Sequence, residues 1–343
     1  MAGLERWIKE EGPRVRGSRP LDSAKVQAPG VVGLPDGGYR LFYTAVGPGK
    51  PFADCQGYIL SAVSVDGIDF EVEPGIRVAP DPASSFMNLR VLAPTVTRLD
   101  DGRWRMYFEG RSSADKPKVI GSAISKDMLD WQVEEGVRLV VPGGVRAPRY
   151  LPTPDGHKLV AVGQLPGAQV TDSAVGGAVV ATSCDGIDFE LGTAYLFPTD
   201  PAHGGDFSAA EVVPPVREGE EWVLFFSEWA DPPGGPLQGL PLHPSSDPDA
   251  VAKGTSANFA EISIASDLAG FRSRIHIARS ADGINWERGP VVVEGEGYGG
   301  DGMDAVHAED MSLIRLPDGR YRMYYAACDS AGIWLVASAV SVD

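Results

Sequence analysis

The sequence predicts an all-β fold, a five-bladed β-propeller whose ring is closed by the N-terminal strand completing the last blade. Three observations lead to this prediction: a motif that occurs five times, a hairpin signal upstream of it, and an N-terminal segment that matches strands of the inner repeats. The chain has 42 glycines and 28 prolines among 343 residues, a share well above the average of roughly an eighth. This excess is expected for many short strands joined by turns.

The repeated motif is Ala-x-Ser-x-Asp. Its five copies begin at Ala62, Ala123, Ala181, Ala278 and Ala339. Each copy ends a short run of alternating apolar residues, which is typical of a strand. Ser and Asp side chains bond to nearby backbone amides, and a glycine follows the Asp in three copies. The motif therefore predicts a turn in which the Asp has a structural role.

A hairpin signal precedes each motif. In four repeats it is an Asp-Gly pair between two alternating runs, which strongly favours a β-hairpin. These hairpins span residues 31–45, 96–110, 150–164 and 313–327, and a looser version spans 212–228. Each repeat thus predicts four antiparallel strands, and the five repeats predict five blades.

The two ends of the chain predict how the ring closes. The last repeat stops at Asp343 without a fourth strand, and residues 7–15 match 131–139 and 70–78 position by position, with Glu10, Glu134 and Glu73 aligned. We therefore expect one domain over residues 1–343, with blade five shared between residues 4–15 and 304–343. An insertion at about 230–271 in blade four is rich in Pro, Gly and Ser. A lid over the acid-rich side of the pocket is one interpretation of it, and a mobile loop or oligomer contact is the other.

Composition excludes several classes of function. The chain has 47 acidic and 30 basic residues, a net charge of −17, which argues against nucleic-acid partners. No run approaches 18 apolar residues, so no membrane span is expected, and the charged, amphipathic first residues predict no secretory signal. Cys55, Cys184 and Cys328 are widely spaced, as expected for reduced thiols. We expect a cytoplasmic protein without a metal or cofactor, and leave its oligomeric state open.

The candidate site lies at the mouth of the central channel, which the first strand of each blade lines. Ala-Pro recurs there at 28–29, 93–94 and 147–148, whereas blades four and five carry acids. Carboxylates that share a pocket differ in pKa, as an acid and a base require. The acids expected to be catalytic are Glu211, Asp310, Glu309 and Asp206. The side chains expected to contact substrate are Arg90, Arg146, Arg149, Gln27, His307, Glu109 and Trp229.

The hairpins, the Ser-x-Asp-Gly-x-x-Trp/Phe pattern of residues 280–286 and the x-Ala-Pro strand openings resemble the arabinanase/levansucrase/invertase superfamily. This resemblance implies glycoside hydrolases, sucrases or mannoside phosphorylases with catalytic acids at channel-facing blade starts. Ala210-Glu211 matches the family's acid, and Glu309-Asp310-Met311 is similar to Glu-Asp-Pro of the phosphorylase branch. However, Gln27-Ala28-Pro29 stands where the family has Asp-Pro, and Thr95 stands where Asp is common.

These observations favour a glycoside hydrolase-like enzyme acting on a small soluble glycoside or oligosaccharide. In this hypothesis Glu211 donates a proton, Asp310 or Glu309 is base or nucleophile, and Asp206 tunes their pKa values. One alternative is a non-hydrolytic sugar- or anion-binding propeller that has lost the family's catalytic Asp. The other is a cyclase- or isomerase-type enzyme that uses the same pocket.

Overall fold

Five antiparallel strand units follow one another along the chain. The computed structural model describes residues 4–113, 115–153, 156–166, 177–197, 211–230, 259–268 and 272–342. Units 1, 2 and 3 are separate sheets, whereas units 4 and 5 share a ten-stranded sheet through one parallel pair, Ser273 opposite His307. The described part of the chain is thus all-β apart from one helix.

The strands have the following bounds. The N-terminal segment contributes β1 (Trp7–Lys9) and β2 (Val15–Arg16). Unit 1 comprises β3 (Lys25–Gly33), β4 (Tyr39–Val46), β5 (Tyr58–Ser64) and β6 (Glu71–Val72). Unit 2 comprises β7 (Arg90–Arg98), β8 (Trp104–Arg111), β9 (Val119–Ser125), β10 (Gln132–Val133) and β11 (Leu139–Val140).

The remaining units are built in the same way. Unit 3 comprises β12 (Val145–Thr153), β13 (Gly156–Gly163), β14 (Gly177–Ser183) and β15 (Glu190–Phe197). Unit 4 comprises β16 (Glu211–Val212), β17 (Val216–Glu218), β18 (Glu221–Ala230), β19 (Arg272–Ser280) and β20 (Glu287–Val293). Unit 5 comprises β21 (His307–Arg315), β22 (Tyr321–Cys328) and β23 (Trp334–Ser341), with β1 and β2 paired antiparallel to β23.

The N-terminal segment forms the outer edge of unit 5. Trp7 lies opposite Ser341, and the Glu10 carboxylate accepts hydrogen bonds from Arg322 Nη2 at 3.0 Å and Ser338 Oγ at 2.6 Å. The same contacts are formed in unit 1 by Glu73, Arg40 and Ser61 and in unit 2 by Glu134, Arg105 and Ser122. Residues from opposite ends of the sequence therefore complete unit 5 with the bonds used in the inner units.

The repeated motif forms a turn at the end of the third strand. Ser64 Oγ accepts the Gly67 N–H at 2.9 Å, and Asp66 Oδ1 accepts the Ile68 N–H at 2.8 Å. These hydrogen bonds, that from Ile68 first, lower the pKa of Asp66 to about 2. The same turn follows Ser125, Ser183 and Ser280. The structural role expected for the Asp is thus confirmed at these four turns.

Neighbouring units pack through aromatic side chains. In units 1, 2, 3 and 5, an aromatic ring at the start of the fourth-strand segment meets, edge to face, a ring on the second strand of the preceding unit. The pairs are Phe70 with Tyr324, Trp131 with Phe42, Phe189 with Tyr107 and, from the N-terminal segment, Trp7 with Phe225. Centroid distances in these pairs are between 5.5 and 5.8 Å. The buried core therefore lies between successive units.

The first strands line a common axis. β3, β7, β12, β16 and β21 contact one another in cyclic order. Four of them carry a β-bulge with a residue at positive φ: Ala28 (51°), Ala93 (51°), Ala147 (48°) and Asp310 (55°). The three alanines are buried against one another, so the bulge position faces the axis. In unit 5 an aspartate occupies this position.

The insertion is described only at residues 259–268, where it forms α1 (Phe259–Asp267). α1 lies across the first strands: Lys25 Nζ is 3.2 Å from Ser263 Oγ and 2.5 Å from Asp267 Oδ2, and Arg90 lies over the Phe259 ring. The described helix thus contacts unit 5, one of the two acid-bearing units, as well as units 1 and 2. The lid over the acids stays a prediction for the rest of the insertion. Residues 231–258 and 269–271 lie outside the described residues. No helix in the described ranges has the length and apolarity of a bilayer span.

Candidate functional site

Asp310 occupies the bulge position of unit 5, where units 1, 2 and 3 have a buried alanine. Asp310 is only 4% exposed. Burial raises the pKa of Asp310, and the charges of Arg149 and Lys25 oppose that rise. A left-handed backbone costs a non-glycine residue about 1–2 kcal/mol, and such strain concentrates at functional sites. Asp310 can therefore act as a base stronger than a solvent-exposed carboxylate.

Arg149 reaches from unit 3 to the bulge of unit 5. Its Nε donates to the Met311 carbonyl at 3.2 Å and its Nη1 to the Pro148 carbonyl at 3.0 Å. Nη2 is buried and has no hydrogen-bond partner in the described ranges. Burial lowers the pKa of Arg149, and the charge of Asp310 raises it. Arg149 thus fixes the backbone beside Asp310, and its charge is the one that most strongly opposes the rise in the pKa of Asp310.

Basic side chains form a row along the mouth of units 2 and 3. Arg90 lies directly opposite Arg111, and Gly110 opposite Val119 places Lys118 beside Arg111 on the next strand. The Lys118 carbonyl accepts the Val145 N–H at 2.9 Å, so Arg146 follows at the start of unit 3. We call Arg90, Arg111, Lys118 and Arg146 the cation row. Burial lowers the pKa of Arg90 and of Arg146, and the charges of Glu109 and Asp310 partly oppose this, so the row and Asp310 share one electrostatic environment.

Glu109 is the carboxylate within this row. Its Oε1 accepts a hydrogen bond from Arg111 Nε at 2.5 Å, and its Oε2 accepts one from the Ala147 N–H at 3.2 Å. Thr44 holds the Ala93 N–H in the same way one unit earlier. Both oxygens of Glu109 have partners inside the protein. This favours a positioning role at the unit 3 bulge over the direct substrate contact expected from the sequence.

His307 is buried at the start of β21. Its Nδ1 accepts the Ser273 N–H at 3.1 Å, and its Nε2 lies 2.8 Å from the Asp267 carbonyl. The ring stacks on Trp334, with centroids 5.3 Å apart. Burial, above all, lowers the pKa of His307 to about 4. A neutral imidazole with Nε2–H donating to α1 satisfies both contacts, so His307 joins unit 4, unit 5 and the helix, and both nitrogens are used.

The other expected residues have the following positions. Gln27 is half-buried opposite Thr44, and Glu309 is 6% exposed opposite Ala326. Glu211 lies in β16 opposite Ser227, and Trp229 in β18 opposite Ser273; the described part of these two residues is the backbone. Asp206 lies outside the described residues. The structure therefore brings Asp310, Arg149, Arg146 and Arg90 together, and the contacts of Glu211 and Asp206 stay predictions.

Lys118 and the helix were missed as site components. The sequence signal for Lys118 was weak, because it lies on a third strand and reaches the site only through its cross-strand neighbours. Lys118 could have been predicted from the strand register. Arg111 and Lys118 flank the connection between two adjacent antiparallel strands, so the two side chains lie next to each other. The helix lies in a Pro/Gly-rich insertion with no strong periodic pattern, so its position against Lys25 was not predictable.

A groove of about 980 Å³ lies elsewhere. It is lined by Arg138, His157, Cys184 and Asp188, among others, at the turn end of unit 3. The cation row lies at the opposite end of the same strands, because Arg146 begins β12 and Thr153 ends it. This groove contains no residue of the expected site.

Comparisons with known proteins bear on the fold. No family profile matches the chain, and no curated protein sequence matches it. Among solved structures, a glycosyl hydrolase from Bacteroides ovatus superposes with a TM-score of 0.62 at 14% identity, covering 98% of this chain and 93% of that one. The fold is similar to that of propeller glycoside hydrolases.

Two further structures share this propeller fold. One is from the GH130 family of mannoside phosphorylases, which is described as containing hydrolases that target β-1,2-mannosidic linkages in Candida mannan. It superposes with a TM-score of 0.61 at 14% identity, over 97% of this chain and 93% of that one. The other is a GH32 β-fructofuranosidase from Bombyx mori, with a TM-score of 0.62 at 14% identity, over 95% of this chain and 61% of that one. The resemblance to the arabinanase/levansucrase/invertase superfamily is thus confirmed for the fold.

Proposed function

We propose that this protein is an enzyme that acts on a small soluble glycoside or oligosaccharide by carboxylate acid/base catalysis at the channel mouth. The observation that carries the proposal is the position of Asp310. Three of the four described bulges present an alanine to the axis, and unit 5 presents a buried carboxylate in the same strained conformation. The similarity of the fold to glycoside hydrolases and phosphorylases supports a sugar as the substrate.

Asp310 is assigned the role of general base or nucleophile. Its raised pKa increases its basicity, and the charge of Arg149 favours the ionised carboxylate. Glu211 would donate the proton to the leaving oxygen, and Asp206 would tune the acids of units 4 and 5. Glu309, next to Asp310, is the second candidate for the base.

We infer that the five units are the blades of one closed propeller, a single domain in which unit 5 is shared between residues 4–15 and 304–343. Arg322 of unit 5 donates to the Asp66 carbonyl of unit 1 at 3.0 Å, as Arg40 of unit 1 donates to Asp127 of unit 2 at 3.1 Å. This repeated contact supports a ring that closes from unit 5 to unit 1. The free thiols at 55, 184 and 328 favour a reducing compartment such as the cytoplasm.

The test is a turnover screen with aryl glycosides and small oligosaccharides, followed by NMR of the first-formed anomer. We expect cleavage of at least one compound, and a large loss of kcat in both Glu211→Gln and Asp310→Asn. Full turnover in both variants on a substrate that the wild type cleaves would overturn the assignment. Sugar binding without any turnover would replace it with the non-hydrolytic binding propeller.

A further inference from the structure

Among the described residues, the four basic side chains of the cation row outnumber the acid that lies within it. Arg90 and Arg111 are directly opposite on neighbouring strands, and Lys118 continues the row. Like charges in such cross-strand positions destabilise a sheet. The one buried acid among them, Glu109, already pairs with Arg111 and the Ala147 amide. The fold thus holds these cations together at a cost in stability.

Two further observations on the described residues are consistent with an anion site in the row. Nε and Nη2 of Arg90 and Nη2 of Arg146 are buried without a hydrogen-bond partner in the described ranges, and Arg90 itself is 2% exposed. A buried donor without an acceptor costs about 1–3 kcal/mol. The charge of Arg111, followed by burial, lowers the pKa of Lys118 to about 7. An anion in the row would satisfy these donors and relieve the repulsion.

We propose that the cation row binds an oxyanion carried by the sugar substrate, namely a carboxylate, sulfate or phosphate substituent. The proposal rests on the proposed function and specifies its substrate class. Guanidinium groups bind such oxyanions through paired N–H donors, and an ammonium adds a point charge. Arg90 and Arg146 would supply the donors that lack partners, and Lys118 the third cation.

The geometry favours an anion attached to the sugar over a separate ion. Three adjacent strands place Arg90, Arg111 and Lys118 across roughly 10 Å, which is wider than one oxyanion. The charge of Asp310 acts on both Arg90 and Arg146, so the row and the proposed base are close enough to interact. A single molecule that contacts both the row and Asp310 loses its translational freedom only once, whereas a sugar and a separate anion would each lose theirs.

Calorimetric titration of the wild type tests this proposal. The ligands are glucose, mannose and galactose, each compared with its uronate and its 6-phosphate, and inorganic phosphate alone. We expect at least one acidic sugar to bind about 10- to 100-fold more tightly than its neutral parent, as hydrogen bonds to charged groups predict. Inorganic phosphate should bind more weakly than the sugar phosphate.

Variants identify the row as the source of that preference. Lys118→Met and Arg146→Gln should each reduce the preference for the acidic sugar by about 10-fold, with thermal unfolding showing that each variant is folded. Arg103→Gln is the matched control, because Arg103 pairs with Asp101 in an exposed hairpin at the other end of unit 2. Lys118→Met should not lower the melting temperature, since it removes a charge that its neighbours repel. If Lys118 had only a structural role, the same substitution would lower the melting temperature.

The outcomes separate the two proposals. Equal binding of acidic and neutral sugars, or an unchanged preference in both variants, would overturn the oxyanion site, and cleavage of neutral glycosides would then leave the proposed function standing. Inorganic phosphate that binds as tightly as the sugar phosphate would also overturn it, in favour of a separate ion. Tight binding of an acidic sugar with no cleavage of any glycoside would support the oxyanion site and contradict the proposed enzyme.

Discussion

Glu10 and Arg322 lie 312 residues apart in the sequence, and their side chains form an ion pair with Arg322 Nε 2.9 Å from Glu10 Oε2. Arg322 also donates to the Asp66 carbonyl, so one guanidinium connects the N-terminal segment, unit 5 and unit 1. Both residues are largely buried, which gives the pair a larger effect than an exposed one.

Glu10→Gln should lower the free energy of unfolding by about 1–3 kcal/mol, because Arg322 loses a charged acceptor in a largely buried position. Urea unfolding measures the change. Glu11→Gln, at an exposed neighbouring position, is the control and should leave the midpoint unchanged. Equal midpoints for Glu10→Gln and the wild type would show that the N-terminal segment does not hold unit 5 together.

Asp310→Asn should stabilise the protein at neutral pH. Since the folded-state pKa of Asp310 is raised above 3.8, the ionised carboxylate destabilises the fold at pH values above the folded-state pKa. This cost disappears as the pH falls below 3.8, where the carboxyl is protonated in both states. Thermal melts at neutral and acidic pH should therefore show a higher melting temperature for Asp310→Asn at neutral pH only. A lower melting temperature at neutral pH would contradict the assigned pKa shift.

His307 should make the docking of α1 sensitive to acid. Its folded-state pKa is lowered from 6.5 to about 4, so the unfolded chain takes up a proton between these values that the folded protein does not. Stability should therefore fall as the pH falls from about 6.5 to about 4. Asp267 favours the charged imidazole, and Lys25 and Arg272 oppose it.

Hydrogen exchange of the α1 amides measures this effect. Protection should decrease over that pH range in the wild type, and His307→Gln should remove most of the pH dependence. His157→Gln is the control, because His157 lies in the hairpin of unit 3, bonded to Tyr150. Protection of α1 that is independent of pH would show that His307 does not couple to the helix.

Binding of an acidic sugar should be accompanied by proton uptake at Lys118. Near pH 8, above its pKa of about 7, Lys118 is mostly neutral without ligand, and an oxyanion favours the ammonium form. Calorimetry in two buffers of different ionisation enthalpy should therefore give different binding heats. Lys118→Met should abolish the difference. Equal heats in both buffers for the wild type would exclude a protonation change in the row.

Much of the fold was predictable, because repeated local chemistry specifies it. The Ser-x-Asp turns form the expected hydrogen bonds, and the alignment of Glu10 with Glu73 and Glu134 correctly paired residues from the two ends of the chain. Met128 is informative: it takes the left-handed position (φ 65°) that Gly67 occupies in unit 1. The turn therefore persists without glycine because Ser125 and Asp127 supply its hydrogen bonds.

The site was only partly predictable. Asp310 followed from a position where one repeat departs from the others, and Arg146 and Arg149 followed from their places beside the Ala-Pro pair at 147–148. The left-handed bulge that aims Asp310 at the axis depends on backbone conformation, which the Ala-Pro pattern did not reveal. The partners of Glu109, and the row that Lys118 completes, depend on contacts between strands and units that have no local sequence signal.

The most direct measurement of the central claim is the kcat of Asp310→Asn on a glycoside that the wild type cleaves. The account predicts a loss of about 10²- to 10⁴-fold, as expected when a catalytic base is removed, in a protein that stays folded. Asp66→Asn, which changes a turn carboxylate at the other end of unit 1, should keep nearly full turnover. An Asp310→Asn protein that turns over as fast as the Asp66→Asn control would contradict the account.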